Sequence, residues 1–219
     1  MGVTDMFNPL MGLHISARQQ RGVSMMEILV TLVIVSVGLL GLAGLQAMAK
    51  VAELESFQRA QALVLVSDMV EKIRLNKGTG MKNCFAITTA ASGAPVYGTG
   101  AAAFALCTDA RWDAAKTEWS NTLQGASETK TSGGVVASVG AVIDGRGCVT
   151  YDAAKETIDS ASGLGISESG EFTVSVAWQG IGATVANTTN LCGTGLYGSE
   201  TKRRVVSSVF RIANTIKNP

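Results

Sequence analysis

The feature that most constrains this chain is a run of 22 residues, 28–49, that contains no charged side chain. Its sequence is ILVTLVIVSVGLLGLAGLQAMA, and only Thr31, Ser36 and Gln46 interrupt the apolar residues and glycines. A helix rises about 1.5 Å per residue, so the run would be about 33 Å long and could cross the hydrocarbon core of a bilayer. We therefore expect one membrane-spanning helix over residues 28–49.

The flanks of this run predict its orientation. Arg18 and Arg21 precede it, whereas Lys50 and Arg59 on the other side are interleaved with acidic residues. This bias weakly favours a cytoplasmic N-terminus with the rest of the chain on the outer side of the membrane. A cleaved secretory signal fits less well, because its apolar core is shorter and ends at a small-residue cleavage site.

The composition argues against an enzyme. The chain has a single histidine, His14, and 18 Lys+Arg against 17 Asp+Glu, so its net charge of +1 gives no reason to infer a nucleic-acid partner. Most imidazole chemistry is excluded, and we find no nucleophile–base pair, phosphate loop or metal-ligand spacing. We expect no catalytic site, metal or cofactor.

Glu27 is an acidic residue at the beginning of the apolar segment, five residues after Gly22. A carboxylate deep in lipid costs on the order of 2–3 kcal/mol or more. Glu27 either lies among the headgroups, where it would favour the positive end of the helix dipole, or has a cationic partner.

The segment around Gly22 resembles the prepilin processing site of type IV pilins: Arg21-Gly22, then VSMME over 23–27, then an apolar helix. The resemblance implies that a prepilin peptidase cleaves after Gly22 and N-methylates Val23, where the family most often has Phe. It also implies that Glu27 neutralises a terminal amine in the assembled filament. An α-amino group has a pKa of about 7.7–8, so it is charged near neutral pH and needs an anion in an apolar bundle.

Three further segments resemble the PilV family of minor pilins. They are SVGLLGLAGLQ (36–46), RAQAL (59–63) and DMVEKIRLN (68–76), and the similarity covers about a quarter of the chain. It implies a minor pilin that joins other minor pilins in a tip or initiation complex of the type IV pilus. The implied partners are the major pilin, the inner-membrane assembly platform and a PilY-type tip adhesin, and the implied final location is the pilus.

Gly38, Gly41 and Gly44 recur at three-residue spacing in the apolar run. Each glycine costs about 1 kcal/mol relative to alanine in a helix, and small residues also let neighbouring helices approach closely. The glycines therefore either form a packing face alone or soften a segment that loosens when the helix leaves the bilayer for a filament.

The helix is predicted to continue to residue 77, with Gly78 and Gly80 ending it. Apolar residues recur every three to four positions along it, so one side of the helix is apolar and must pack on another surface. This side comprises Val51, Leu54, Phe57 or Gln58, Gln61, and Val64 or Leu65.

The sequence pattern of residues 78–219 predicts a globular α+β domain. A helix is expected over 109–124, with Trp112, Ala115, Trp119 and Leu123 on one face, and loops over 88–106 and 180–202. Strands are expected over 135–143, 148–151, 172–178 and 204–213.

The predicted fold class is α+β and pilin-like, with a long N-terminal helix packed on an antiparallel sheet. The expected domains are a leader (1–22), the long helix (23–77) and a periplasmic domain (78–219).

The four cysteines should be oxidised outside the inner membrane, and they allow three pairings. We favour Cys84–Cys107 and Cys148–Cys192, because pairs that are nearest in sequence close two otherwise poorly anchored loops.

Residues 202–204 form the main basic cluster. We expect them to be solvated residues that enter an edge strand rather than a docking patch.

The sequence leaves two alternatives to the minor pilin open. One is a minor pseudopilin of a type II secretion system, which belongs to the same superfamily. The other is a membrane-anchored periplasmic binding domain that does not assemble.

Overall fold

A computed structural model describes residues 22–86, 96–99, 107, 109–126, 128–138, 140 and 142–213. The chain divides into two compact units, 1–47 and 48–219. The helices are α1 (Met25–Leu75), α2 (Met81–Phe85) and α3 (Ala110–Leu123), with a 3-10 turn at Ala153–Lys155. The strands are β1 (Thr129–Ser132), β2 (Val135–Ser138), β3 (Arg146–Asp152), β4 (Glu171–Gln179) and β5 (Arg203–Arg211). Most of the expected 88–106 loop lies outside the described residues.

The C-terminal unit is built on a three-stranded antiparallel sheet in the order β3-β4-β5. Val174 at the centre pairs with Val149 on β3 and with Ser208 on β5. One face of this sheet joins the buried side of α1 and the inner side of α3 in a single apolar core. The predicted α+β class, with a long helix packed on an antiparallel sheet, is confirmed.

Helix α3 forms where the sequence predicted it and buries the predicted face. Asp109 caps its first turn by accepting a hydrogen bond from the Arg111 backbone N–H at 2.8 Å. Trp112 and Trp119 are both buried, and the Trp119 indole N–H donates to the Leu65 carbonyl at 2.8 Å. The tryptophan pair is therefore part of the core.

The second face of the sheet is covered by the 180–202 segment, which contains no helix or strand. A small cluster of Cys148, Ala177, Cys192 and Tyr197 is buried there. The alternating sequence at 172–178 correctly predicted a strand. Its intervening residue Ala177 is buried as well, because the strand is covered on both sides.

The region from 127 to 143 differs from the prediction. Residues 128–134, for which no strand was predicted, contain β1, which pairs with β2 in a separate two-stranded ribbon. Gly133 and Gly134 form its turn with φ of +58° and +82°, the combination a two-residue hairpin of type I′ requires. The strand predicted to reach residue 143 ends at Ser138, and a turn occupies 143–144. Helix α2 was not predicted.

The buried side of α1 agrees with the predicted side only in part. Gln58 and Leu65, which were predicted as alternatives to Phe57 and Val64, are buried. Leu54, Phe57 and Val64 are exposed, between 52% and 63% accessible. The buried residues are Gln58, Ala62, Leu65, Val66, Met69, Val70 and Ile73. The segment carries apolar residues on two sides, so the spacing alone did not determine which side the sheet would cover.

Candidate assembly site on the N-terminal helix

Ser24 defines the beginning of α1. Its hydroxyl oxygen accepts a hydrogen bond from the Met26 backbone N–H at 3.4 Å. Its carbonyl accepts from the backbone N–H groups of Glu27 at 3.0 Å and Ile28 at 3.2 Å. Serine is a common residue at this position because it satisfies amide groups that have no partner inside the helix. The local sequence thus starts the helix just after Val23.

The Glu27 carboxylate lies in the first turn of α1 and is exposed. Within the described residues it has no hydrogen-bond or ion-pair partner. A negative charge at this end of a helix is favoured by the dipole, but only by about 0.3–1 kcal/mol. Glu27 is therefore available to a cationic group that approaches α1 from outside the described chain.

The apolar part of α1 is exposed along its described length. Every residue from 22 to 47 is exposed, including Leu40 at 79% and Leu45 at 67%. An apolar surface of this size requires lipid or other apolar helices around it. Among the described residues, α1 is the one helix that is long and apolar enough to cross a membrane.

The hydroxyl groups within the apolar run are satisfied by the helix itself. Thr31 Oγ1 donates to the Ile28 carbonyl at 2.9 Å, and Ser36 Oγ donates to the Leu32 carbonyl at 2.7 Å. Such bonds remove the cost of placing a hydroxyl group in an apolar medium. The run can therefore enter lipid without unsatisfied hydroxyl donors.

No contact among the described residues explains Gly38, Gly41 or Gly44. A Cβ atom added at any of the three would meet nothing within 4 Å, and none of them has a positive φ. Gly147 provides the contrast, because a Cβ there would collide with the Trp119 ring. Whatever favours glycine at the three helix positions must act outside the folded monomer.

The basic cluster at 202–204 differs from the expected solvated residues. The Arg203 side chain is buried and donates to the carbonyls of Asn187, Asn190 and Cys192, so it holds the 180–202 segment in place. Arg204 forms an ion pair with Glu55 of α1 at 3.1 Å. Two of the three basic residues therefore act inside the fold.

The cysteines pair as the sequence analysis favoured, Cys84 with Cys107 and Cys148 with Cys192. Within the described part of the chain, no group of three or more His, Cys, Asp or Glu residues is arranged to hold a metal ion.

Residues 17–43 match the family described as the prokaryotic N-terminal methylation motif. The matched range contains Gly22, Val23 and Glu27, together with Gly38 and Gly41, and the C-terminal unit lies outside it. No curated protein and no solved structure matches the chain. Proteins with this motif are structural rather than enzymatic, are processed by a prepilin peptidase and assemble with other pilins. The matched motif and the apolar helix that follows it support a type IV pilin-like protein, either a pilin or a pseudopilin.

Proposed function

We propose that this protein is a minor pilin of the PilV type that takes part in type IV pilus assembly. The observation that carries the proposal is the beginning of α1, where an exposed apolar helix and an unpartnered Glu27 lie inside a methylation motif. The resemblance of residues 36–46, 59–63 and 68–76 to PilV supports the narrower assignment. The chain would join other minor pilins in a tip or initiation complex.

Cleavage after Gly22 would create a charged amine at Val23, which the peptidase would then N-methylate. When α1 leaves the bilayer for a bundle of similar helices, this amine enters an apolar environment. An uncompensated charge there costs several kcal/mol, and the Glu27 carboxylate of a bundled chain would neutralise it. The pairing would fix the axial register of the helices as well as offset the charge.

The domain organisation follows from the same proposal. Residues 1–22 are the leader, 28–49 span the inner membrane with a cytoplasmic N-terminus, and 78–219 form a periplasmic domain. The two disulfides support an oxidising compartment for that domain. The proposed partners are the prepilin peptidase, the major pilin, other minor pilins, the inner-membrane assembly platform and a PilY-type tip adhesin.

N-terminal sequencing of the protein purified from membranes tests this proposal directly. We expect the mature chain to begin with N-methylated Val23, and to begin upstream of Gly22 in a strain that lacks the prepilin peptidase. A mature chain that still begins at Met1 in the presence of the peptidase would contradict the proposal.

A minor pseudopilin of a type II secretion system is the second candidate, because the same methylation motif supports either class. Deletion of the gene separates the two. Loss of surface pili with normal protein secretion supports the minor pilin, whereas loss of secretion with normal piliation supports the pseudopilin.

A further inference from the structure

A cleft of about 380 Å³ lies between α1 and the sheet within the C-terminal unit. It is lined by Glu55, Ser56, Arg59, Trp178, Arg204, Val205 and Val206. All of these residues belong to the same compact unit. The cleft is large enough for a side chain from another molecule.

The acidic group of the cleft is already fully engaged. Glu55 Oε1 accepts hydrogen bonds from the Ile181 backbone N–H at 2.8 Å and the Gly182 backbone N–H at 3.2 Å. The Arg204 guanidinium pairs with the same carboxylate at 3.1 Å. Glu55 and Arg204 therefore balance each other and leave no unpaired charge from this pair.

Arg59 supplies an unbalanced positive charge at the cleft. Its guanidinium is exposed and has no hydrogen-bond or ion-pair partner among the described residues. Trp178 also lines the cleft but is only 2% accessible, so it contributes apolar surface to it. Arg59 thus has the donors that an incoming acceptor could satisfy.

The remaining wall is apolar and is formed by Val205, Val206 and the body of Trp178. A group that suits this cleft has a negatively charged end for Arg59 and an apolar stem for the valines. The side chains of Glu and Asp have this chemistry, and carboxylates bind guanidinium groups through strong charge-assisted hydrogen bonds.

We propose that this cleft receives an acidic side chain from the long helix of a neighbouring, different pilin-like subunit, with Arg59 as its partner. This inference rests on the proposed function. The helix is the expected source because α1 itself forms one wall of the cleft, so helices that bundle beside α1 pass close to it.

A second copy of this chain is a poorer source of the acid. Apart from Glu27 and Glu55, α1 carries three acidic residues, and each is paired within the chain. The pairs are Lys50–Glu53, Asp68–Lys72 and Glu71–Arg74. The helix of a second copy therefore offers Arg59 no unpaired carboxylate beyond Glu27, which the proposed function already uses.

Charge reversal in the full-length chain, expressed in its native cell, tests the cleft. We expect Arg59→Glu to reduce surface filaments about tenfold or more, and Arg59→Lys to retain most of them. Lys130→Glu is the matched control, because Lys130 is an exposed residue of β1 outside the cleft whose ammonium group has no ion-pair partner among the described residues. This variant should assemble normally. Equal membrane abundance and complete disulfide formation show that each variant folds.

Compensating reversals then identify the occupant. In the Arg59→Glu background, each acidic residue on the long helices of the other pilin-like subunits is changed to lysine in turn. One such change should restore filaments. Normal piliation by Arg59→Glu, restoration by none of the changes, or restoration by an acid-to-lysine change in a second copy of this chain would overturn the assignment.

Comparison of two variants distinguishes an error in the cleft assignment from an error in the proposed function. If Glu27→Ala abolishes filaments and Arg59→Glu does not, the cleft assignment alone is wrong. If both variants form normal filaments, the pilin assembly role is wrong as well.

Discussion

Glu27 and Glu55 are two carboxylates on one helix with opposite surroundings. Glu55 is held by two backbone N–H groups and an arginine, whereas Glu27 has no partner within the described residues. A fully partnered carboxylate stabilises the fold that contains it. An unpartnered carboxylate in the first turn of an apolar helix is available for an interaction between molecules.

The Glu27→Ala variant should lose surface filaments while its abundance in membranes stays unchanged. The reason is that the amine of Val23 would enter the apolar bundle without an anion, at a cost of several kcal/mol. Electron microscopy of surface pili, with an immunoblot of the membrane fraction, measures both quantities. Glu53→Ala removes a charge from an exposed ion pair on the same helix and should leave piliation unaffected. Normal piliation by Glu27→Ala would refute the role.

Glu55 has a lowered pKa despite its partial burial. Burial alone would raise the pKa of this carboxyl above its usual value of 4.5, but the hydrogen bonds from Gly182, Arg204 and Ile181 outweigh that effect. A group with a lowered pKa in the folded state contributes stability that is complete above its ordinary pKa. That contribution is lost as the pH falls through the lowered value.

The Glu55→Gln variant should therefore be less stable than the parent at pH 7 by about 1 kcal/mol, a figure reduced for partial solvent exposure. The difference between the two proteins should shrink as the pH falls below 4.5 and vanish in strong acid. Thermal unfolding of the full-length proteins in detergent, followed from pH 7 to pH 3, measures this. A difference that stays constant with pH would show that the charge of Glu55 is not responsible.

At the level of elements, α1 combines a segment without internal contacts and a segment that joins the core. In the first segment the three glycines have space for a methyl group, so the monomer would tolerate alanine there. Their effect should be visible only when the helix meets other chains or bends during assembly.

Substitution of Gly38, Gly41 and Gly44 together separates the two interpretations of these residues. The triple alanine variant should insert into membranes normally and form fewer filaments. If softness matters, alanine should impair assembly more than serine, because alanine has the higher helix propensity. If only close packing matters, serine should be worse, since it is larger. Filament counts for both triple variants at equal membrane abundance decide between them, and unchanged assembly in both would exclude either role.

Elements with a strong local pattern were predictable from the sequence, and those set by distant contacts were not. The alternation of apolar and polar residues at 172–178 predicted β4, and the single apolar face at 110–123 predicted α3. The β1–β2 ribbon was missed because its strands are short and the first is polar, although the Gly133-Gly134 pair was a usable turn signal.

The candidate site and the cleft likewise contain residues that a local motif identifies and residues that only distant contacts bring together. Gly22, Val23 and Glu27 lie in one short motif, so the sequence was sufficient to identify them. The Glu55–Arg204 pair joins residues 149 positions apart, and no local pattern indicates that they meet. The cleft beside Arg59 depends on that pair and on β4, so it became visible only in the folded unit.

At the level of the whole molecule, two disulfides fasten the C-terminal unit. Cys84–Cys107 closes a loop with a sequence separation of 23, and Cys148–Cys192 closes one of 44. The second bond joins β3 to the 180–202 segment, which covers the outer face of β4. Arg203 holds the same segment through its bonds to backbone carbonyls.

Removal of the second disulfide should therefore expose a face of the sheet as well as lower stability. In the chain-entropy model, the Cys148→Ala/Cys192→Ala variant loses about 4 kcal/mol, and the Cys84→Ala/Cys107→Ala variant loses about 3 kcal/mol. Urea unfolding of the full-length proteins in detergent measures these losses. Limited proteolysis should cut the first variant within 180–202, because only hydrogen bonds, such as those of Arg203 and Asn190, then hold that segment. Protection of this segment equal to that of the parent would mean that these hydrogen bonds, and not the disulfide, keep the sheet covered.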